Sequence, residues 1–238
     1  MNDKTNRTPW RASAWISYSA LGLGIVLLSA CSATQKAQVT QASAFLGADS
    51  AKLSVGGKEQ AGLRYINPAA QWTQYKKVLV APVTFWGAET TKVSATDQQT
   101  LVNYFQQQLK EQLGKKFELV DQPGPGVLKL AVALTDAEAA TPGLRSISMI
   151  VPQAHMISNL KYLATGTFPF VGAAQAEAKI SDAVTGETLA AVVDKQLGGG
   201  SMAAGFQWQW GDAENAINDW SKRTAEKLSK WTTGAEKP

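Results

Sequence analysis

The sequence predicts a single α+β domain, a mixed and mostly antiparallel sheet of about five strands with two long helices packed on one face. Three observations carry that expectation. Residues 94–114 and 212–232 each place apolar side chains at helical spacing along one stripe. Val78 to Phe85 is an apolar, β-branched run of strand length. Ala174 to Asp182 alternates small apolar residues with polar ones, then reaches the turn Ala183-Val184-Thr185-Gly186.

Residues 1–30 have the three-part layout of a secretory signal. Lys4, Arg7 and Arg11 form a basic start, Ala12 to Leu28 is mostly apolar, and Ser29 and Ala30 are small. The next residue, Cys31, is the only cysteine of the chain. Leu28-Ser29-Ala30-Cys31 resembles the lipobox of bacterial lipoprotein precursors. That resemblance implies diacylglyceryl transfer to the Cys31 thiol, cleavage between Ala30 and Cys31, and acylation of the freed amine. A competing reading is an uncleaved membrane anchor. Spanning a bilayer takes about 20 apolar residues, whereas this run is interrupted by Ser13, Ser17 and Ser19. Ser32, where inner-membrane retention would place aspartate, points in the lipoprotein reading to the periplasmic face of the outer membrane.

Removing residues 1–30 from 238 leaves 208. That is enough for one domain that buries about 70% of its unfolded surface. Taking Lys4, Arg7, Arg11 and Asp3 from 23 basic and 19 acidic residues leaves 20 and 18, a net charge of +2. This balance speaks against nucleic-acid binding, which needs clustered cations. With Cys31 acylated no disulfide can form. One histidine and dispersed carboxylates supply no metal-ligand set. Neither a metal nor another cofactor is expected.

The mature chain is expected to open with the lipidated cysteine and a short flexible tether over 31–43. The domain then occupies 44–238, beginning with an irregular lead-in, 44–76, that carries Phe45, Leu46, Tyr65 and Trp72. Val78 to Phe85 reads as a buried strand with Pro82 marking a bulge or an edge, because proline removes a ladder donor. In 94–114, Ser94 and Asp97 resemble a capping box, and Leu101, Phe105, Leu109 and Leu113, with Val102, form the stripe. Lys115 and Lys116 place positive charge at the carboxyl end. Phe117 to Val120 is a short strand. Gln122-Pro123-Gly124-Pro125-Gly126 is a turn, and Val127 to Thr135 returns as its hairpin partner. On the alternating strand, Ala174, Ala176, Ala178 and Ile180 face the helices, while Glu177 belongs to the wet face. Glu187 to Gln196 completes that hairpin. The last helix is expected to be capped by Asp212, with Ala213, Ile217, Trp220, Leu228 and Trp231 as its stripe.

Candidate sites are few. His155, in Pro152 to Leu160, has no nucleophile or orienting carboxylate beside it in sequence, so a structural role is expected. Ile147 to Leu163 is apolar and fits burial on the sheet, a surface for a partner or ligand, or an amphipathic helix on the membrane surface, for which only Lys161 supplies positive charge. Gly198-Gly199-Gly200-Ser201 lacks the lysine of a phosphate loop. Phe206, Trp208 and Trp210 recur every second residue. Exposed, they would form a stacking platform for sugar rings or a protein hot spot; buried, they seal the seam before the last helix. Asp136, Glu138, Glu177, Asp182 and Asp194 could supply paired carboxylates for glycan hydrolysis if two of them stood about 5–9.5 Å apart in one cleft.

Phe45-Leu46, Tyr75 to Trp86, Leu119 to Asp136, Glu177 to Asp194 and Trp210-Gly211-Asp212-Ala213 together resemble the bacterial lipoproteins grouped as domain of unknown function 3313. The resemblance covers nearly all of the mature chain. It implies an exported, lipid-anchored α+β domain and transfers no catalytic or binding residue. The expectation is therefore a non-catalytic envelope lipoprotein, held to the membrane through Cys31 and acting as an interaction or accessory module for an envelope protein partner. A small-molecule or glycan binder is the alternative, and a carboxylate hydrolase a more distant one.

Overall fold

The computed structural model describes residues 35–37, 39, 41–87, 91–138, 172–197 and 210–238. These form nine strands and two α-helices: β1 (Gln35–Lys36), β2 (Ser54–Val55), β3 (Leu63–Ile66), β4 (Lys77–Val80), β5 (Thr84–Phe85), α1 (Ala95–Gly114), β6 (Glu118–Leu119), β7 (Val127–Glu138), β8 (Ala173–Asp182), β9 (Thr188–Leu197) and α2 (Gly211–Thr233). One mixed sheet runs β2-β3-β9-β8-β7-β4-β6, with β1 added beside β9 and β5 beside β7. The α+β class holds. The strand count exceeds the expected five because four two-residue strands, β1, β2, β5 and β6, are too short to leave a periodic signal.

The sheet's centre is the long antiparallel set β7, β8 and β9. The β8–β9 hairpin turns where alternation predicted. Asp182 Oδ1 accepts from the backbone N–H groups of Val184 and Thr185. Gly186 takes the left-handed φ of 74° that closes the turn. β4 and β6 are parallel across the α1 crossover. Pro82 does interrupt the strand expected over 78–85. β4 pairs with 127–130 of β7 and β5 with 133–134, and the intervening Val83 N–H donates to Gln106 Oε1 of α1 at 2.8 Å.

One pairing differs from the sequence reading. β6 and β7 are not a hairpin, because they lie on opposite sides of β4 and both run parallel to it. A two-residue strand ends so near its own start that a short loop can recross the sheet end. That loop is fastened by Gly126, whose carbonyl accepts from Lys76 and Lys77 and whose φ is 71°.

α1 and α2 pack side by side on one face. Ser94 caps α1, its Oγ accepting from Asp97 N–H and donating to Asp97 Oδ2 at 2.9 Å. Leu101, Val102, Phe105, Leu109 and Leu113 are its buried residues. They meet Leu128, Leu130, Val132 and Leu134 of β7 and Ala174, Ala176 and Ile180 of β8 in the main core. The cap of α2 is Trp210 rather than Asp212. Asp212 sits inside the first turn, where a carboxylate is favoured by the helix dipole. There it accepts from Gly172 N–H at 2.8 Å and ties the start of β8 to the helix. Small residues Ala213, Ala216 and Ala225 let α2 approach closely.

The opposite face is covered by the lead-in. Ser43 caps the 3-10 helix Ala44–Lys52, and Leu46 packs on Ala191 and Val193 of β9, flanked by Val39, Phe45, Leu63 and Tyr65. Asp49 clamps it by accepting from Lys52, Lys179 and the Thr188 hydroxyl at 2.7–2.9 Å. Burial alone would raise the Asp49 pKa, but the lysine and hydroxyl hydrogen bonds outweigh it and hold it at about 2. Of the stretch expected to be a free tether, Gln35–Lys36 pairs with β9 and Ser43 is bonded to β8, so the sheet holds it much earlier than expected.

Glu177 is the consequence of that cover. The alternation places it on a wet face, and it is instead fully buried beneath the lead-in. Its Oε1 accepts from Ser43 N–H at 2.5 Å, and its Oε2 has no hydrogen-bond partner among the described residues. Desolvation raises its pKa above the ordinary value of 4.5 against the opposing pull of Ser43. A raised folded-state pKa contributes stability that is present below 4.5 and is lost as pH rises through the folded value. Glu177→Gln is therefore expected to gain stability relative to the parent as pH climbs from about 4 to about 8 in urea denaturation. Parallel pH curves for the two proteins would contradict this.

Candidate ligand-binding cavity

The two described helices do not roof the whole sheet. A helix is about 10 Å wide and strands are about 4.8 Å apart, so each helix covers roughly two strands. α1 lies over β4, β5 and β6 and α2 over β8 and β9. Among the described elements no helix lies over β3 on this face. A cavity of about 220 Å³, partly open to solvent, occupies that margin between α2 and the sheet.

Its floor is apolar: Ile66 of β3, Val192 of β9, Ala178 and Ile180 of β8, and Leu130 of β7. The sequence expectation gives Ala178 to close helix packing, yet it is only half-buried and opens room instead. Trp220, Leu228 and Trp231 of α2 form the wall. Trp220 stacks on Phe105 of α1 with ring centroids 6.0 Å apart, and Trp231 leans on Trp72 at 5.0 Å. Both walls are thus braced from behind. The lip comprises Glu59, Gln60, Ala61 and Arg64 on one side and Arg223, Lys227 and residues 236–238 on the other. Gly234, with φ 75°, ends α2 in the left-handed conformation that glycine adopts without strain. The chain turns there so that Glu236 pairs with Lys227 at 2.5 Å and Lys230 at 3.2 Å.

Asp194 is the polar anchor of the cavity. It is 5% exposed and fully occupied. Oδ1 accepts from Gly62 N–H at 3.2 Å, and Oδ2 accepts from Trp220 Nε1 at 2.8 Å and Arg223 Nη2 at 2.9 Å. Arg223 Nε also meets Asp219, which accepts from Gln196 as well. This network fixes the angle of Trp220 and joins β3, β9 and α2. It holds the carboxylate by three donors rather than presenting it to a substrate.

The sequence-predicted residues do not converge on this cavity. Trp210 is 3% exposed, so its ring is part of the core and not of a stacking platform. Phe206, Trp208, Cys31, Ala30, His155, the segment 147–163 and the Gly198-to-Ser201 stretch lie outside the described residues. The carboxylates are dispersed. Glu177 and Asp194 face opposite sides of the sheet, bonded to the lead-in and to α2 respectively. Asp182 accepts from the Tyr75 hydroxyl at the β8–β9 turn, and Asp136 pairs with Lys195 at 3.4 Å. The side chain of Glu138 lies outside the described set. Among the described residues no group of three or more His, Cys, Asp or Glu could hold a metal ion. Among them, too, no helix is long and apolar enough to cross a membrane.

The family described as protein of unknown function, DUF3313, matches residues 41–224, from the lead-in through the middle of α2. The chain belongs to this family. The uncharacterized lipoprotein YdcL of Escherichia coli strain K12 is 25% identical over 186 residues, which span 77% of this chain and 82% of that protein. Among solved structures, the PelC dodecamer from Paraburkholderia phytofirmans aligns with a TM-score of 0.37 at 10% identity, covering 67% of this chain and 94% of that one. Lipoprotein GNA1162 from Neisseria meningitidis aligns with a TM-score of 0.32 at 9% identity, covering 65% and 99%. Both structural likenesses are distant.

Sequence reasoning missed Arg64, Ala178, Val192, Arg223 and Trp231 as a set. The usable signal was geometric: two predicted helices for a sheet of five or more strands leave part of one face uncovered.

Proposed function

We propose that this chain is a lipid-anchored bacterial envelope protein whose folded domain is a non-catalytic accessory module that holds a small molecule in the cavity under α2. The anchor is the Cys31 lipid, and Ser32 favours the outer membrane, with the domain on the periplasmic face. The lipobox and the lipoprotein relative in E. coli support the location. The observation that carries the binding role is the cavity itself. It has an apolar floor and braced tryptophan walls, and its buried carboxylate is engaged by three donors. Such a site retains ligands through apolar burial and leaves no free buried base for chemistry.

Filling the floor tests the reading. Ala178→Leu adds a branched side chain into open space. Native mass spectrometry of the full-length lipidated protein, released from membranes in polymer-bounded lipid discs, is expected to show a small-molecule adduct on the parent and none on the variant. Equal adducts on both, or none on either, would count against it.

A further inference from the structure

Resting on that reading, we infer that the cavity takes an anionic amphiphile with one alkyl chain, its tail on the apolar floor and its charged group at the Arg64 lip. The cavity is lined by four cationic and three acidic side chains, but most are already paired. Arg223 is held by Asp194 and Asp219, and Lys227 by Glu236. Arg64 and Lys237 make no ion pair among the described residues, and neither does Glu59. Among the unpaired side chains of the lining, two cations stand against one carboxylate.

Arg64 is placed for this. It lies directly across from Val192 in the β3–β9 ladder, two residues from the floor residue Ile66 and so on the same side of the strand. An arginine stem can lie along apolar surface while its guanidinium offers a planar set of donors suited to a carboxylate or phosphate. The cavity measures about 220 Å³. It exceeds the roughly 150 Å³ apolar void that accepts a benzene ring, but falls short of the roughly 300 Å³ at which drug-sized sites begin. That size suits a single alkyl chain.

The test uses full-length lipidated protein in phosphatidylethanolamine–phosphatidylglycerol vesicles, labelled by light with a diazirine-bearing dodecanoate. Labelled peptides are expected to fall within 59–66 and 220–231, and Ala178→Leu to lose them. Unlabelled dodecanoate is expected to compete at about tenfold lower concentration than dodecanol, and the double variant Arg64→Gln/Lys237→Gln, which leaves the floor intact, to erase that difference. If the label maps to these peptides but dodecanol competes in the same ratio in parent and double variant, the anionic class is wrong and the cavity still binds. Label that misses both peptides, or persists in Ala178→Leu, overturns the site itself.

Discussion

Asp194→Ala is expected to destabilise the domain by about 3 kcal/mol, because breaking a buried ion pair by removing one partner leaves the other charge uncompensated, at a typical cost of about 3–5 kcal/mol. The lower end applies here, since Arg223 is about a third exposed and keeps Asp219. The loss extends beyond the pair. The Trp220 Nε1 donor would be left buried without its acceptor, and Gly62 would lose its tie to β9. Asp194→Asn keeps an oxygen for Trp220 and is expected to cost less than half as much. Urea denaturation of both variants checks the ordering, and an alanine variant within about 1 kcal/mol of the parent would show that the network does not anchor α2.

Phe105→Ala should be at least as damaging, at about 3–5 kcal/mol. Phe105 is 2% exposed at the centre of the α1 stripe and stacks on Trp220 at an interplanar angle of 24°. Truncation removes the transfer free energy of a benzyl group and leaves a void that the β7 leucines cannot close without moving. It also takes away the support behind the cavity wall. Since whole domains are stable by about 5–15 kcal/mol, the variant should lie close to its unfolding midpoint under mild denaturant. Combining Phe105→Ala with Trp220→Ala is expected to cost less than the two separately, because the stacked rings share one interaction. Strict additivity would mean that the rings are neighbours without coupling.

The two changes also mark what was legible in the chain. The α1 stripe is a local property: five side chains at helical spacing needed only a core to face, and all five are buried. The β8–β9 hairpin was equally local, with its alternation and its Asp182-to-Gly186 turn lying within one stretch. Glu177 shows the limit of that logic. Alternation says which side chains share a face, but not what covers the face, and the cover came from Val39 and residues 41–53, whose irregular sequence has no period. The β6–β7 pairing failed for a related reason, since adjacency and a turn signal imply a hairpin only when both strands are long enough to pair.

The cavity was least legible. Arg64, Ala178, Val192 and Trp231 belong to four separate elements and meet at the margin that the two described helices leave on the sheet. Asp194 stands out in the sequence only as one carboxylate among several. Its actual role, orienting Trp220 beside the cavity, depends on a register and a helix position that no sequence pattern displays. Cys31 stands at the other extreme, since its reading rests wholly on local order: basic start, apolar run, small residues, cysteine.

The central claim is that lipid on Cys31 fixes this module in the envelope, and radiolabelled palmitate incorporation tests it most directly. The parent is expected to take up label and to appear as a cleaved mature chain, whereas Cys31→Ala takes up none and accumulates as the uncleaved precursor. Label retained by Cys31→Ala, or no label on the parent, would contradict the account.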